Sequence, residues 1–206
     1  MLADAELGPA ANVDAQPSAA PVLSAGGIGD YIANGAFDLN RGIGGQLGFE
    51  ATESVAVGLN IAAPWSACRL GFNGVSSAYA VRGDADSQEV RSSDGSTFIE
   101  ANIGADDFSG LAQPLKQPFL QGKRYSFAVD LRASAGDQVA LELWGSLITC
   151  IPAIKLVETR RVNDGWQRVC IAFDAPVDVA ELVIKPVGRA GSRAFFDNVR
   201  ADPGCE

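Results

Sequence analysis

Charged and aromatic side chains alternate with apolar ones along three segments in the second half of the chain. These polar positions are the residues best suited to ligand chemistry, and they are Asp130, Arg132, Glu142, Trp144, Trp166 and Arg168. An indole ring stacks well on the apolar C–H face of a sugar, and planar charged groups take its hydroxyls by paired hydrogen bonds. If the segments are neighbouring strands, we expect these side chains to share one sheet face and bind carbohydrate there. The alternative is a solvated face of weak ion pairs.

Two of the three tryptophans have an alternative role in packing. Trp65 follows a proline, and its indole serves either as another sugar-stacking plate or as a plug of the core. Trp166 stands at the start of a strand, where we expect it to pack at the edge of the core. The candidate carbohydrate-binding residues are therefore Trp144, Glu142, Arg132, Asp130, Arg168 and Trp65.

Catalysis is not expected, because the 206 residues include no histidine. A Ser-His-Asp or Cys-His unit therefore cannot form, and the commonest general base and zinc ligand are both missing. The carboxylate pairs Asp84/Asp86 and Asp106/Asp107 lie in turns rich in serine and glycine. Solvated loop charges are a simpler interpretation of these pairs than a glycosidase site. We therefore predict that the protein is not an enzyme.

The charge and hydropathy of the chain exclude several classes of partner. A net charge of −9 argues against binding to nucleic acid and to anionic lipid. No segment approaches the roughly 20 apolar residues of a membrane helix, so we expect no membrane insertion. Residues 1–29 lack the basic start and apolar block of a secretory signal. Either the chain stays where it is made or an export signal has been removed.

The four cysteines do not form a recognisable motif. Cys68, Cys150, Cys170 and Cys205 contain no CxxC pair, which argues against a zinc knuckle or a thioredoxin-type site. For a chain without a visible export signal we expect ordinary thiols. Three complete disulfide pairings remain open as the alternative.

The chain divides into an arm and one folded domain. Residues 1–29 are rich in alanine, proline, glycine and serine, which predicts an extended arm or linker. Where this arm is ordered, we expect partner subunits to hold it, with the domain's own surface as the alternative. Residues 30–206 read as short alternating strands, beginning with an opening strand at Tyr31–Asp38. Between Gly104 and Gly122 we expect a long connection with a short turn. The pattern predicts an all-β fold, a two-sheet antiparallel jelly-roll β-sandwich.

Four motifs in order resemble galactose-binding-like and family 4/9 carbohydrate-binding jelly rolls. They are YIANGAFD (31–38), GKRYSFAVDLRAS (122–134), GWQRVCIAFDAP (165–176) and AFFDNVRA (194–201). The resemblance implies the sandwich fold and a glycan-binding face. It also implies one structural Ca²⁺ held by Asp38 and Asp197, whose carboxylates suit a hard cation. The alternative role for both aspartates is to cap backbone N–H groups at strand ends.

A narrower resemblance links the chain to jelly-roll domains of phage tail fibres and head spikes. It is carried by NGAFDLNRG (34–42) with PWSACRLG (64–71), and by FIEANIG (98–104) before LAQPLKQPFLQGKRYSF (111–127). It implies a homo-oligomeric spike or fibre component of a virion, assembled in the cytoplasm, anchored by residues 1–29 and binding surface polysaccharide. The alternatives are a virion decoration or adaptor protein that contacts only protein, and a secreted carbohydrate-binding module of a polysaccharidase.

Overall fold

In the part of the chain that the structure describes, eleven β-strands form two antiparallel sheets packed face to face. The computed structural model describes residues 31–33, 37, 60–62, 65–69, 77–83, 90–93, 97–105, 109–148 and 151–202; for 60–62, 66–69, 147–148, 151–152 and 202 it describes the backbone alone. The strands are β1 (Asn60–Ala62), β2 (Trp65–Arg69), β3 (Ala78–Gly83), β4 (Thr97–Asn102), β5 (Ser109–Phe119), β6 (Arg124–Ala133), β7 (Ala140–Ile148), β8 (Ile151–Glu158), β9 (Gln167–Asp174), β10 (Val179–Val187) and β11 (Arg193–Asp202).

The strands distribute between the sheets as in a jelly roll. One sheet has six strands in the order β1-β2-β5-β10-β7-β8, and the other has five in the order β3-β4-β11-β6-β9. Every pairing is antiparallel. The predicted all-β sandwich is therefore confirmed. Within the described ranges, no helix is long and apolar enough to cross a membrane.

The period-two alternation of the later strands places one side of each strand in a shared core. On β6 the core-facing residues are Tyr125, Phe127, Val129, Leu131 and Ala133, while Asp130 and Arg132 point outward. Leu141 and Leu143 of β7 contribute from the facing sheet. Burial of apolar side chains is the main favourable term in folding, so the apolar residues of each strand face the core. The residues between them point outward, and only these are available to a ligand.

The predicted opening strand is not a strand where the structure describes it. Residues 31–33 form a bend whose backbone joins both sheets. The Tyr31 amide donates to the Ala201 carbonyl of β11 at 3.2 Å, and the Lys116 amide of β5 donates to the Tyr31 carbonyl at 3.0 Å. Tyr31 therefore makes one backbone hydrogen bond to each sheet instead of pairing along one of them. The predicted arm of residues 1–29 lies outside the described residues.

The predicted long connection at Gly104–Gly122 is also wrong, because it contains the eleven-residue strand β5. Its prolines, Pro114 and Pro118, suggested irregular chain. Strand β2 pairs with β5 only from Ser109 to Ala112, so both prolines lie beyond that ladder. On the other side of β5, Pro114 still pairs with Glu181 of β10, and Pro118 falls in the irregular stretch of that ladder between Pro114 and Phe119. A proline is tolerated in a strand at a bulge or where no ladder bond needs its missing N–H.

Strand β8 was not predicted, and two bulges explain why. Trp144 of β7 faces Lys155, whereas Leu143 faces Val157, so Leu156 is an extra residue in β8. A second shift leaves Ala153 extra, between Ile154 and Pro152. Each bulge breaks the alternation that marks a strand in sequence, and bulges commonly re-aim side chains beside functional sites. Lys155 lies between the two.

Cys170 is disulfide-bonded, which corrects the expectation of ordinary thiols. It lies on the exposed side of the edge strand β9. The side chains of Cys68, Cys150 and Cys205 lie outside the described set, so which of them pairs with Cys170 stays open.

We expect Gly145→Ala to destabilise the sandwich by about 1–3 kcal/mol. A Cβ built at Gly145 would approach Cγ2 of Val179 to 2.6 Å and Cγ1 to 3.1 Å inside the core. Chemical denaturation measures the loss. The control is the double variant Gly145→Ala/Val179→Ala, which removes the colliding methyls and should be more stable than the sum of the single effects predicts. Strict additivity would contradict the proposed collision.

Candidate functional site

The six predicted binding residues divide between the core and two opposite surfaces. Glu142 and Trp144 lie on β7, on the outer face of the six-stranded sheet. Asp130, Arg132 and Arg168 lie on the neighbouring strands β6 and β9, on the outer face of the five-stranded sheet. Their predicted convergence on one face is therefore wrong, because consecutive strands β6 and β7 belong to different sheets.

Trp65 lies in the core, where its side chain is 0% exposed. Its ring centroid is 5.7 Å from that of Phe37, which in turn lies 6.0 Å from Phe196 of β11. Of the two roles that the sequence left open, the plug is correct, because a fully buried indole has no face to offer a sugar.

The tryptophan face, defined here as Glu142, Trp144, Lys155, Glu158 and Lys185, forms around β7. Trp144 packs against Ala112 of β5 and Val183 of β10, which are buried on the same outer surface. Val183 is the direct cross-strand neighbour of Trp144, and Ala112 is the next residue across. Trp144 therefore packs on an apolar pair that spans two strands of the sheet.

Hydrogen bonds hold the Trp144 ring in place. Its Nε1–H donates to Oε2 of Glu142 at 3.0 Å. The Lys155 ammonium donates to Oε1 of Glu142 at 2.9 Å, and the Lys185 ammonium lies 3.6 Å from Oε2. Lys155 also donates to Oε2 of Glu158 at 2.9 Å. The formal charges of the two carboxylates and two ammonium groups cancel, so the face combines an aromatic surface with a neutral set of donors and acceptors.

The Glu142 carboxyl has a lowered pKa. Desolvation raises the pKa of this carboxyl, but hydrogen bonds from Lys155 and Trp144 and the charges of Lys185 and Lys155 together outweigh it. The pKa of Lys155 is raised above 10.5, chiefly by its hydrogen bonds to Glu158 and Glu142. Both residues are therefore charged across the neutral range.

We expect the Trp144–Glu142 hydrogen bond to survive acidification to below pH 4.5, the ordinary value for a glutamate. Since the folded-state pKa of Glu142 is depressed, the stabilisation is complete above the unfolded pKa and disappears as pH falls through the folded one. The Trp144 indole N–H resonance in ¹H–¹⁵N NMR reports this step. Trp166, whose Nε1–H donates to the Arg91 carbonyl, is the internal control. A Trp144 midpoint above 4.5 would contradict the assignment.

The outer face of the five-stranded sheet carries a closed polar network. The Ser93 hydroxyl lies 2.9 Å from Oδ2 of both Asp130 and Asp197. The Asn198 side-chain amide donates to Ser93 and to Asp130, and Arg168 donates to Asp130 Oδ1 and to the Asn198 carbonyl. A hydroxyl has one proton, which Ser93 can donate to Asp197. Asn198 then donates one amide hydrogen to Ser93 and the other to Asp130, so each donor has an acceptor.

Aromatic packing and the chain itself cover the neighbouring part of this face. Phe98 and Phe195 are buried with Val90, and Trp166 packs on Phe98 at 6.0 Å. Trp166 donates to the Arg91 carbonyl at 2.7 Å, which fixes residues 90–93 across the sheet. The packing role expected of Trp166 agrees with this geometry. Arg132 is partly buried here, and its Nε has no hydrogen-bond partner.

The calcium site predicted from Asp38 and Asp197 stays a prediction, because Asp38 lies outside the described residues. Asp197 is 0% exposed; its Oδ1 accepts from the Asn198 amide at 2.7 Å and its Oδ2 lies against Ser93. Its described environment thus matches the alternative role of binding N–H and O–H groups. No group of three or more metal-ligand side chains occurs in the described part of the chain.

Sequence reasoning missed three members of the tryptophan face: Lys155, Glu158 and Lys185. The first two lie on the unpredicted strand β8. Lys185 was recognised as an outward residue of β10, but its position opposite Glu142 required the sheet order. No local sequence signal places β10 beside β7, because that pairing is long-range.

Comparison with solved structures places this fold among known ones. A proposed sugar-binding protein from Bacteroides thetaiotaomicron VPI-5482 matches with a TM-score of 0.51 and 10% identity, over 85% of this chain and 100% of that one. A cyclase from Fischerella sp. matches with a TM-score of 0.49 and 16% identity, over 85% of this chain and 96% of the cyclase chain. The enzymatically active domain of tailspike protein 4 of bacteriophage CBA120 matches with a TM-score of 0.49 and 11% identity. That match covers 84% of this chain and 21% of the tailspike chain.

Carbohydrate-binding modules of families 4, 22 and 61 are among the other matches, with TM-scores from 0.43 to 0.48. The chain spans 27% of the Clostridium thermocellum xylanase 10B structure, which joins such a module to a catalytic one. No protein-family model matches the sequence. No curated protein matches it either. The chain shares its fold with the Bacteroides protein, and this fold is the two-sheet jelly-roll sandwich that the motifs predicted.

Proposed function

We propose that the chain is a non-catalytic recognition module that binds polysaccharide through the tryptophan face. The observation that carries this proposal is Trp144, an indole on an outer sheet surface whose Nε1–H is committed to Glu142. Fixing the ring beforehand lowers the conformational entropy that binding would otherwise cost. The ring then offers its apolar surface to a sugar, with charged groups at its edge for the hydroxyls.

The chemistry of this face supports binding rather than turnover. Both Glu142 oxygens are engaged by Trp144, Lys155 and Lys185, and the carboxyl pKa is lowered. A glycosidase acid requires the opposite, a carboxyl whose pKa is raised so that it is protonated near neutral pH. A proton acid at this position is therefore disfavoured.

Affinity gel electrophoresis tests the proposal directly. The purified chain is run through gels containing xylan, β-1,4-galactan, β-1,3-glucan, polygalacturonate or alginate, and xylohexaose and β-1,4-galactotriose serve as soluble competitors. We expect retardation on at least one polymer and no release of reducing ends on prolonged incubation. Free migration in all five gels would refute the proposal, and steady release of reducing ends would refute its non-catalytic part.

For the biological setting we propose a spike or fibre component of a phage-like particle, anchored by residues 1–29 and present in several copies. The NGAFDLNRG and PWSACRLG motifs support this setting. Repetition suits weak sugar sites, because linked sites gain avidity without new contacts. The alternatives are a virion protein that contacts only protein, and an extracellular module of a polysaccharidase.

One observation favours the extracellular alternative. Cys170 is disulfide-bonded, and disulfides persist chiefly in oxidising compartments. Deletion of residues 1–29 separates the settings. A particle component loses incorporation into particles and keeps glycan binding, a protein-only adaptor binds no glycan at all, and a secreted module keeps glycan binding and is found in no particle.

A further inference from the structure

Within the tryptophan face, Glu142 is poorly placed to contact a ligand. Its side chain is 13% exposed. One oxygen accepts from Trp144 and lies near Lys185, and the other accepts from Lys155. A carboxylate so enclosed acts mainly on the groups around it, and it holds the indole and both ammonium groups in position.

Lys155 and Glu158 are the exposed polar groups beside the ring. Their side chains are 41% and 37% exposed, and they form an ion pair at 2.9 Å on β8. Lys155 is the cross-strand partner of Trp144, and it lies between the two bulges of that strand. An ammonium has three donor hydrogens, and two of those on Lys155 go to Glu142 and Glu158. The third hydrogen and the second Glu158 oxygen remain for other groups.

We propose that Lys155 and Glu158 are the specificity-determining contacts of the tryptophan face, where they bind adjacent hydroxyls of an uncharged sugar stacked on Trp144. This inference rests on the proposed function. The ammonium donates to one hydroxyl oxygen, the carboxylate accepts from the next hydroxyl, and Glu142 is a positioning residue.

Charge selects the ligand class. The formal charges of Glu142, Glu158, Lys155 and Lys185 cancel, so the face has no excess cation to neutralise a uronate or a sulfate. A negatively charged sugar would bring its charge against the exposed Glu158 carboxylate, and unpaired like charges are a common means of rejecting a ligand. We therefore expect neutral polysaccharides to bind and anionic ones to be rejected.

The five-polymer gel assay tests this with variants. We expect the wild-type chain to be retarded by a neutral polymer and not by polygalacturonate or alginate. Lys155→Met and Glu158→Gln should each weaken retardation by about tenfold, and the double variant should be little weaker than either, because coupled residues are not additive. Asp174→Asn is the matched control, since it breaks the exposed Arg124–Asp174 pair on the opposite sheet.

Glu142 variants test the positioning role. Glu142→Gln keeps an acceptor oxygen for the indole and should retain most binding, whereas Glu142→Leu should lose binding and shift the Trp144 N–H resonance. Equal loss in both variants would overturn the positioning role. Thermal melting of each variant identifies one that fails to fold, and Glu158→Gln, at an exposed position, remains informative if a Glu142 variant unfolds.

The outcomes separate the two proposals. Absence of wild-type retardation, or full binding by Trp144→Ala, overturns the glycan-binding function of this face. Binding that depends on Trp144 but is unchanged in Lys155→Met and Glu158→Gln overturns the present inference alone. Stronger retardation by polygalacturonate or alginate than by every neutral polymer also overturns it.

Discussion

Trp144→Ala is expected to weaken glycan binding by at least about thirtyfold, or roughly 2 kcal/mol, the usual threshold for a dominant aromatic contact. The substitution removes the stacking surface and leaves Glu142 without the indole donor that it accepts from at 3.0 Å. Calorimetric titration with the oligosaccharide that competes in the gel assay, xylohexaose or β-1,4-galactotriose, measures the change.

Trp166→Ala is the matched control, because it removes the same side chain from the opposite sheet. Trp166 packs on Phe98 and donates to Arg91, so its loss should lower stability while affinity is unchanged. If Trp166→Ala abolished binding and Trp144→Ala did not, the glycan site would lie on the five-stranded sheet. The packing of Trp144 against the Ala112 and Val183 pair would then be structural alone.

Trp65→Ala is expected to cost about 3–5 kcal/mol of unfolding free energy, since it opens a large cavity in the core. Trp65 is fully buried, and its contact with Phe37 continues to Phe196 of the facing sheet. For a chain of this length the loss corresponds to roughly 6–20 °C in Tm, which scanning calorimetry measures.

Two comparisons show that the Trp65 effect comes from packing. Trp65→Phe keeps an aromatic ring and should lose less than Trp65→Ala. Trp144→Ala, at a half-buried position outside the main core, should change Tm less than Trp65→Ala does. Comparable Tm losses for Trp65→Ala and Trp144→Ala would contradict the placement of Trp65 as a core plug.

The sequence predicted the strands whose alternation is unbroken. On β6 and β9 a strict period of two showed which residues face the core, and the ordered motifs indicated the jelly roll. Strands β5 and β8 escaped prediction for physical reasons. Pro114 and Pro118 made β5 resemble a connection, and the extra residues Ala153 and Leu156 broke the period of β8.

The candidate site was only half predictable, because a strand pattern shows a face but not a neighbour. Glu142 and Trp144 were recognised as a pair on one strand. Whether they join Asp130 and Arg168 or Lys155 and Lys185 depends on pairings between distant segments. The structure selects Lys155 and Lys185, by the β8-β7 and β7-β10 ladders. The bulged strand β8, which periodicity could not reveal, supplies the exposed polar groups.

The bend at residues 31–33 has a mechanical consequence. Tyr31 bonds through its amide to β11 and through its carbonyl to β5, and the Ala33 amide donates to the buried Gln113 side chain at 3.2 Å. A pull applied from the N-terminal side would therefore load both layers of the sandwich together. Because the load is shared, one sheet would not separate before the other, and the force needed to unfold the sandwich would be raised.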